Sequence, residues 1–257
     1  MPLDRRSALS AAAAVAAGLV GVAACDSPSR PSAAPGSGSA SPFPSPAKSA
    51  GAVPGHASVP GEINSGPRDR PNVALTFHGQ GDPALARELL AELERGNARV
   101  TVFAVGSWLA DQPAMARRVL DGRHELGNHT ENHRDLSRMA PAEVFNEIDA
   151  CAQRIRKLTG SIGTWFRPSQ TQHANALIRA NANRVGYPTC VSYDVDSLDF
   201  TDPGSPAVVR TTLSQVRPGS IVSLHFGHRG TLAAIGPILD GLRQRGLHAV
   251  TMKELMG

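Results

Sequence analysis

A parallel α/β fold, either an open doubly wound sheet or a closed barrel, is expected over residues 71–257. Three observations carry that expectation. Short apolar runs bounded by Gly, Pro or Asp read as strands, the segments between them have helical periodicity, and the two kinds alternate without an internal repeat. In both architectures active sites gather at the carboxyl ends of the strands.

Residues 72–77 (Asn-Val-Ala-Leu-Thr-Phe) form the first expected strand. Asp82 and Pro83 open a helix to about Glu94, with Asp82 as N-cap, Pro83 as first helical residue and Gly96 as the stop. Residues 100–105 read as a strand and roughly 113–120 as a helix. After Pro141, the residues Val144, Ile148, Cys151, Ile155 and Leu158 recur at steps of four and three, the stripe of an amphipathic helix. Further strands are expected at 164–166, 189–193, 221–224 and 248–251, and helices at 175–184, 207–215 and 232–245.

The amino terminus reads differently. In residues 1–25, Arg5-Arg6 precede an alanine-rich apolar run that ends in Val22-Ala23-Ala24-Cys25, the pattern of an export signal. The run is shorter than the ~20 strongly apolar residues a bilayer span requires, so cleavage is expected. Its last four residues resemble the lipobox of bacterial lipoproteins, which makes Cys25 the lipidated first residue of the mature chain. The protein would then sit on the outer face of the cytoplasmic membrane, held by that anchor. Arg5-Arg6 also permits the twin-arginine export route. Residues 26–70 are dominated by Pro, Ser, Ala and Gly and cannot bury enough surface to offset their ordering entropy, so a disordered tether is expected there, His56 included. Residues 71–257 suffice for one domain with a sizeable core.

A formal charge of +4, a sequence pI near 9.3 and an aromatic content of 4% give no arginine-rich block interleaved with aromatics, so nucleic acid is not an expected partner. Mild positive charge suits anionic cell-wall polymers or lipid headgroups. Nothing calls for more than a monomer. Of three cysteines, Cys25 belongs to the lipobox, Cys151 to the helical stripe and Cys190 to an expected strand. An oxidising compartment permits a Cys151–Cys190 disulfide, and two buried free thiols are the alternative.

Polar clusters follow the expected strands. His78 to Asp82 follow the first, His129-Thr130-Glu131-Asn132-His133 follow Glu125-Leu126-Gly127, and Arg167 follows Trp165-Phe166. Asp194, Asp196 and Asp199 follow Val191-Ser192-Tyr193, and His225 ends Ile221-Val222-Ser223-Leu224. A parallel barrel brings all five together. Histidines at i and i+4 can turn both imidazoles toward one metal ion, which makes a divalent metal the first hypothesis.

With these motifs in this order, residues 71–257 resemble the polysaccharide deacetylases, metal-dependent hydrolases with a NodB homology domain and a distorted (β/α) barrel. His129-Thr130-Glu131-Asn132-His133 matches the family's His-Ser/Thr-x-x-His, whose histidines ligate the metal. Phe166-Arg167-Pro168 matches the start of the third motif, Asp196-Ser197-Leu198-Asp199-Phe200 resembles Asp-x-x-Asp-Trp, and Leu224-His225 resembles Leu-x-His without its spacer. The first motif departs: for Thr-Phe-Asp-Asp-Gly this chain has Thr76-Phe77-His78-Gly79-Gln80, and a carboxylate returns at Asp82. Ser169-Gln170 replace the third motif's Pro-Tyr. The resemblance implies removal of N-acetyl groups from a cell-wall or extracellular amino-sugar glycan, with Gln170, Phe200 and Leu224 at the substrate.

Amide hydrolysis needs a Lewis acid, a base for the attacking water and an acid for the leaving amine. Two histidines and one carboxylate suit Zn²⁺ with an open position, Co²⁺ or another divalent ion being alternatives. In one arrangement Asp82 joins His129 and His133 on the metal and His78 is the base; in its rival His78 is the ligand and Asp82 the base. In the family, the arginine at the position of Arg167 pairs with the catalytic carboxylate. His225 is the expected acid, with Asp199 or Asp196 fixing its tautomer. His173 and His228 flank motifs and are candidates for a groove. Glu131 and Asn132 read as solvated turn residues. The altered first motif also motivates a second reading, a glycan-binding protein without turnover, and the same chemistry suits another small amide.

Overall fold

The computed structural model describes residues 61–257. The expected signal, Cys25 and most of the expected tether lie outside the described residues, and among the described residues no helix is long and apolar enough to cross a membrane.

In chain order the elements are β1 (Glu62–Ile63), β2 (Asn72–Gly79), α1 (Pro83–Arg95), β3 (Thr101–Ala104), α2 (Gly106–Asp111), α3 (Ala114–Asp121), β4 (Glu125–Asn128), α4 (Pro141–Thr159) and α5 (Ala176–Val185). Then follow β5 (Cys190–Val191), β6 (Val195–Asp196), α6 (Ser205–Gln215), β7 (Ile221–His225), α7 (Arg229–Gln244), β8 (His248–Val250) and α8 (Met252–Met256). The strands run β4-β3-β2-β7-β6, all parallel, with β8 on the start of β2. Single parallel bridges from Asn128 to Phe166 and from Phe166 to Cys190 carry the sheet on to β5 and β1, which curls it into a distorted α/β barrel.

Strand alternation assigns each side chain to a face. Val73, Leu75 and Phe77 of β2, Val102 and Ala104 of β3, and Val222 and Leu224 of β7 pack outward in one core with Leu89, Leu93, Ile235 and Ile238 of the surrounding helices. Their neighbours point inward in layers set by the register. Ala74 lies beside Ile221, Thr76 beside Ser223 and His78 beside His225. The lowest layer, Ala74 and Ile221 with Val250, packs with Val191 and Met252 to fill the barrel floor with apolar side chains. A third cluster joins Ile148, Ala152 and Ile178 of α4 and α5 to Phe166 and Tyr187.

Three expectations change, and one pair of alternatives is resolved. The folded part begins before residue 71: Ile63 O accepts from Ser192 N (2.7 Å), Gly66 N donates to Gly219 O (2.7 Å) and Arg68 pairs with Asp194 (2.9 Å), because a strand edge and a carboxylate offer this polar segment partners that its composition does not reveal. The strand expected at 164–166 contracts to the single bridge at Phe166. Helix α2 was not expected, since six residues beginning at Gly106 are too few to show a period. Cys151 and Cys190 are free and buried, one behind β3 and the other on β5, so the disulfide is absent.

Candidate active site

Three imidazoles meet at the top of the barrel. Among the described residues, His78, His129 and His133 form the group whose metal-binding atoms all lie within 4.8 Å of one another. His78 ends β2; His129 and His133 occupy the turn that leaves β4. That turn is strained and heavily braced. Thr130 (φ 68) and His133 (φ 54) sit in the left-handed region, which costs a β-branched residue about 1–3 kcal/mol and persists only where the surroundings enforce it. Asn128 Oδ1 accepts from Thr130 N (2.8 Å), and Glu147 of α4 accepts from both nitrogens of Asn132 (2.8 Å each). Glu131 pairs with Arg154 of the same helix. Glu131 and Asn132 therefore pin the turn to α4 and are not simply solvated.

The tautomer of His129 follows from its partner. Its Nδ1 lies 2.9 Å from the main-chain oxygen of Arg167, which can only accept, so Nδ1 carries the proton and Nε2 presents its lone pair. That Nε2 is buried and has no hydrogen-bond partner. An orphaned buried nitrogen aimed at two more imidazoles is what a borderline-soft divalent ion such as Zn²⁺ would satisfy. Burial, then the repulsion that a proton would meet among the crowded imidazoles and Arg167, holds His78 and His129 well below the ordinary histidine range, and burial lowers His133 too. All three are neutral, as ligands must be.

The chain corrects the carboxylate expected beside them. Asp82 Oδ1 accepts from Ala84 N (2.8 Å) as the N-cap of α1; Asp82 is exposed and does not line the cleft that holds the histidines. Gly81 (φ 96) turns the chain away from the site, and its carbonyl is held by Trp108 Nε1 (2.9 Å). Gly79, the other position of the altered motif, faces outward. A Cβ there would meet Val102 Cγ1 at 2.8 Å and Ala104 Cα at 3.2 Å.

Arg167 is buried across the barrel mouth, stacked over Phe103 (4.3 Å). Its Nε and Nη2 donate to the carbonyls of Val191 (3.2 Å) and Ser192 (3.1 Å), and Nη1 donates toward His78 Nε2 (3.3 Å). Burial pulls the guanidinium down to about 9, which leaves it protonated at neutral pH. Among the described residues it pairs with no carboxylate within salt-bridge distance.

His225 points inward beside His78, ring centroids 4.3 Å apart. Its Nδ1 lies 2.7 Å from Asp199 Oδ1; the other oxygen of Asp199 accepts from His225 N (2.8 Å) and Thr231 Oγ1 (2.6 Å). Burial pushes the Asp199 carboxyl up, but these hydrogen bonds and the His225 charge outweigh it and hold the group below its usual value. Asp199, not Asp196, is thus the partner of His225. Asp196 accepts from Leu198 N (3.0 Å) and is the carboxylate lining the cleft.

The cleft, about 250 Å³, is lined by His78, His133, Arg167, Asp196, Ser223 and His225, with Gln170, Tyr193 and Phe200 at its walls. Gln170 Nε2 donates to His133 O (2.6 Å), and Phe200, 47% exposed, stands 5.3 Å from the His225 ring. Leu224 is corrected: fully buried on the outer face of β7, it cannot touch a ligand. His173 pairs with Glu62 (2.8 Å) and His228 with Asp202 (2.9 Å), and neither lines the cleft. Ser223, whose Oγ lies 3.3 Å from His78 Nε2, was missed, although the alternation Ile221, Ser223, His225 was there to find it. A larger cleft, about 670 Å³, lies at the amino-terminal end of β4 and holds no such histidine group.

Comparison with known proteins shows the family and the fold. The sequence model of the polysaccharide deacetylase family matches residues 65–190. The chain is 30% identical to a chitooligosaccharide deacetylase of Bradyrhizobium, over 72% of this chain and 90% of that one. It is 30% identical to a peptidoglycan-N-acetylglucosamine deacetylase of Bacillus cereus, over 74% and 90%. Among solved structures, a CE4 family pseudoenzyme from Bacillus anthracis shares the fold, with a TM-score of 0.73 at 21% identity over 77% of this chain and 70% of that one.

Proposed function

The chain belongs to the polysaccharide deacetylase family, and we propose that it removes N-acetyl groups from an amino-sugar glycan of the cell wall or extracellular matrix, with a divalent metal, Zn²⁺ first, as cofactor. The observation that carries the reading is the orphaned Nε2 of His129 among three neutral imidazoles, with His225 beside His78. His78, His129 and His133 would hold the metal, which when bound polarises the amide carbonyl and acidifies a water. Arg167 orients His129 through its main chain, and its charge adds to the burial that keeps His78 neutral.

His225 is the acid in this proposal. The Asp199 carboxylate fixes its Nδ1–H, so that Nε2, when protonated, delivers a proton to the departing amine. Asp196 faces the cleft with a carboxylate and takes the proton of the attacking water. Phe200 gives a sugar ring an exposed apolar face beside His225, and Gln170 borders the opposite wall. The site would lie outside the cytoplasmic membrane, tethered through Cys25. Acetate release from N-acetylglucosamine oligomers or peptidoglycan with added Zn²⁺ tests the reading; a folded, zinc-loaded chain that released none from either would end it for those substrates. His225→Ala is expected to lower kcat roughly 10²- to 10⁴-fold.

A second reading, glycan binding without turnover, is favoured by one observation: among the described residues no carboxylate stands in the metal-binding group. Tight oligomer binding untouched by His225→Ala, with no acetate released by the wild type, is its signature.

A further inference from the structure

The wall of the cleft that carries Pro168, Gln170, Thr171 and Gln172 has no helix or strand of its own. Its shape depends on what holds it. From the imidazole side, Thr130 Oγ1 donates to Ser169 Oγ (2.9 Å), Ser169 Oγ donates to Arg134 O (2.5 Å) and Gln170 Nε2 donates to His133 O (2.6 Å). In the middle, Ser192 Oγ donates to Gln172 O (2.8 Å). The far end is held by a residue from outside every motif. Glu62 of β1 accepts from Ala174 N through Oε2 (2.5 Å) and lies against His173 Nδ1 through Oε1 (2.8 Å).

The Glu62 side chain is only 4% exposed, and both its oxygens are spent on this loop. Desolvating a carboxylate is costly unless its oxygens are satisfied, and an apolar side chain would fill the same place without that cost. What the carboxylate alone provides is the pair of contacts to residues 173 and 174. Its own strand is held by main-chain bonds, Cys190 N to Gly61 O (2.9 Å) and Ser192 N to Ile63 O (2.7 Å).

We propose that Glu62 is a positioning residue for the glycan-binding wall, clamping residues 168–174 from the segment by which the chain enters the fold. The proposal rests on the glycan reading above and adds to it that glycan affinity and the order of β1 are coupled. Coupling of this kind is reciprocal: a glycan that fits the wall holds β1 in place, and a loosened β1 weakens the glycan.

The test compares wild type, Glu62→Ala and Glu62→Gln in the full chain, using the N-acetylglucosamine pentamer and Zn²⁺ as probes. Glu62→Ala is expected to raise KM and the pentamer Kd roughly fivefold to twentyfold, with kcat and zinc stoichiometry unchanged and amide exchange across residues 168–174 faster without glycan. Glu62→Gln retains most of the wild-type affinity, because its side-chain carbonyl still accepts from Ala174 N and its amide still reaches the His173 ring. In wild type, saturating pentamer slows exchange in residues 61–64. Unchanged KM and loop exchange in Glu62→Ala would overturn the proposal, as would a loss of zinc and kcat in step with KM. If Glu62→Ala does not fold, the pentamer's effect on residues 61–64 of wild type decides, and no slowing there overturns it. A wild type that neither binds nor hydrolyses the pentamer defeats the deacetylase reading and the coupling built on it, while exchange across residues 168–174 still reports whether the clamp exists.

Discussion

At the level of single side chains, the open question in the first motif was which of His78 and Asp82 joins the histidine pair. Geometry separates them: Asp82 spends an oxygen on the amide of Ala84, whereas His78 sits within 4.8 Å of the other two imidazoles. Titration calorimetry with Zn²⁺ is therefore expected to show affinity falling at least tenfold in His78→Ala, on the order of the loss for disturbing a ligand's support. Asp82→Ala is expected to leave zinc affinity alone and to lose about 1 kcal/mol of stability with the cap. Protons give a second readout. The three imidazoles are held below the ordinary range, so as pH falls through about 6.5 the unfolded chain takes up protons first and the folded state loses ground until its own groups titrate. The melting temperature of EDTA-treated protein is expected to fall between about pH 7 and pH 5, with a shallower slope in His129→Gln. An equal slope in both would show that His129 is not one of the buried neutral groups.

Among the secondary-structure elements, the strands decide more than the motifs do. Period-two alternation puts Ser223 and His225 inside the barrel and Leu224 in the outer core, so two neighbours in one short motif have unrelated jobs. The same rule explains why restoring the family's second carboxylate would not help. Gly79→Asp is expected to destabilise by about 1–3 kcal/mol from overpacking against Val102 and Ala104, with the buried charge adding to it, and to release acetate no faster than wild type. Chemical denaturation and the acetate assay check both halves. Long elements were legible because they repeat a pattern: α4 shows its stripe over 19 residues and ends at Gly160 (φ 92). Short ones were not, since β1 has two residues and α2 six, and partners rather than periodicity place them.

For the whole chain, the boundary between tether and domain carries a consequence. Residues 61–70 are polar and look like linker, yet they supply β1, the Glu62 contacts and the Arg68–Asp194 pair. A chain cut to begin at Pro71 is expected to melt several degrees lower than one cut to begin near residue 55, on the order of 4–8 °C per kcal/mol lost for a small domain and less for a larger one. Equal melting temperatures would return this segment to the tether. The anchor is tested in cells: Cys25→Ala is expected to move the protein from the membrane fraction to the medium or soluble extracytoplasmic fraction, read by fractionation and lipid labelling.

Periodicity, breakers and motif order were enough for the parallel α/β plan, the histidine pair, Arg167 and His225, because each is a local pattern whose meaning survives any rotation of its neighbours. Contacts between distant segments were not in those patterns. That Asp199 and not Asp196 holds His225, and that Glu62 reaches a loop 112 residues away, both depend on where the barrel closes. An oxygen can satisfy only the donors that the closed chain brings within about 3 Å of it, and the pairing is made there.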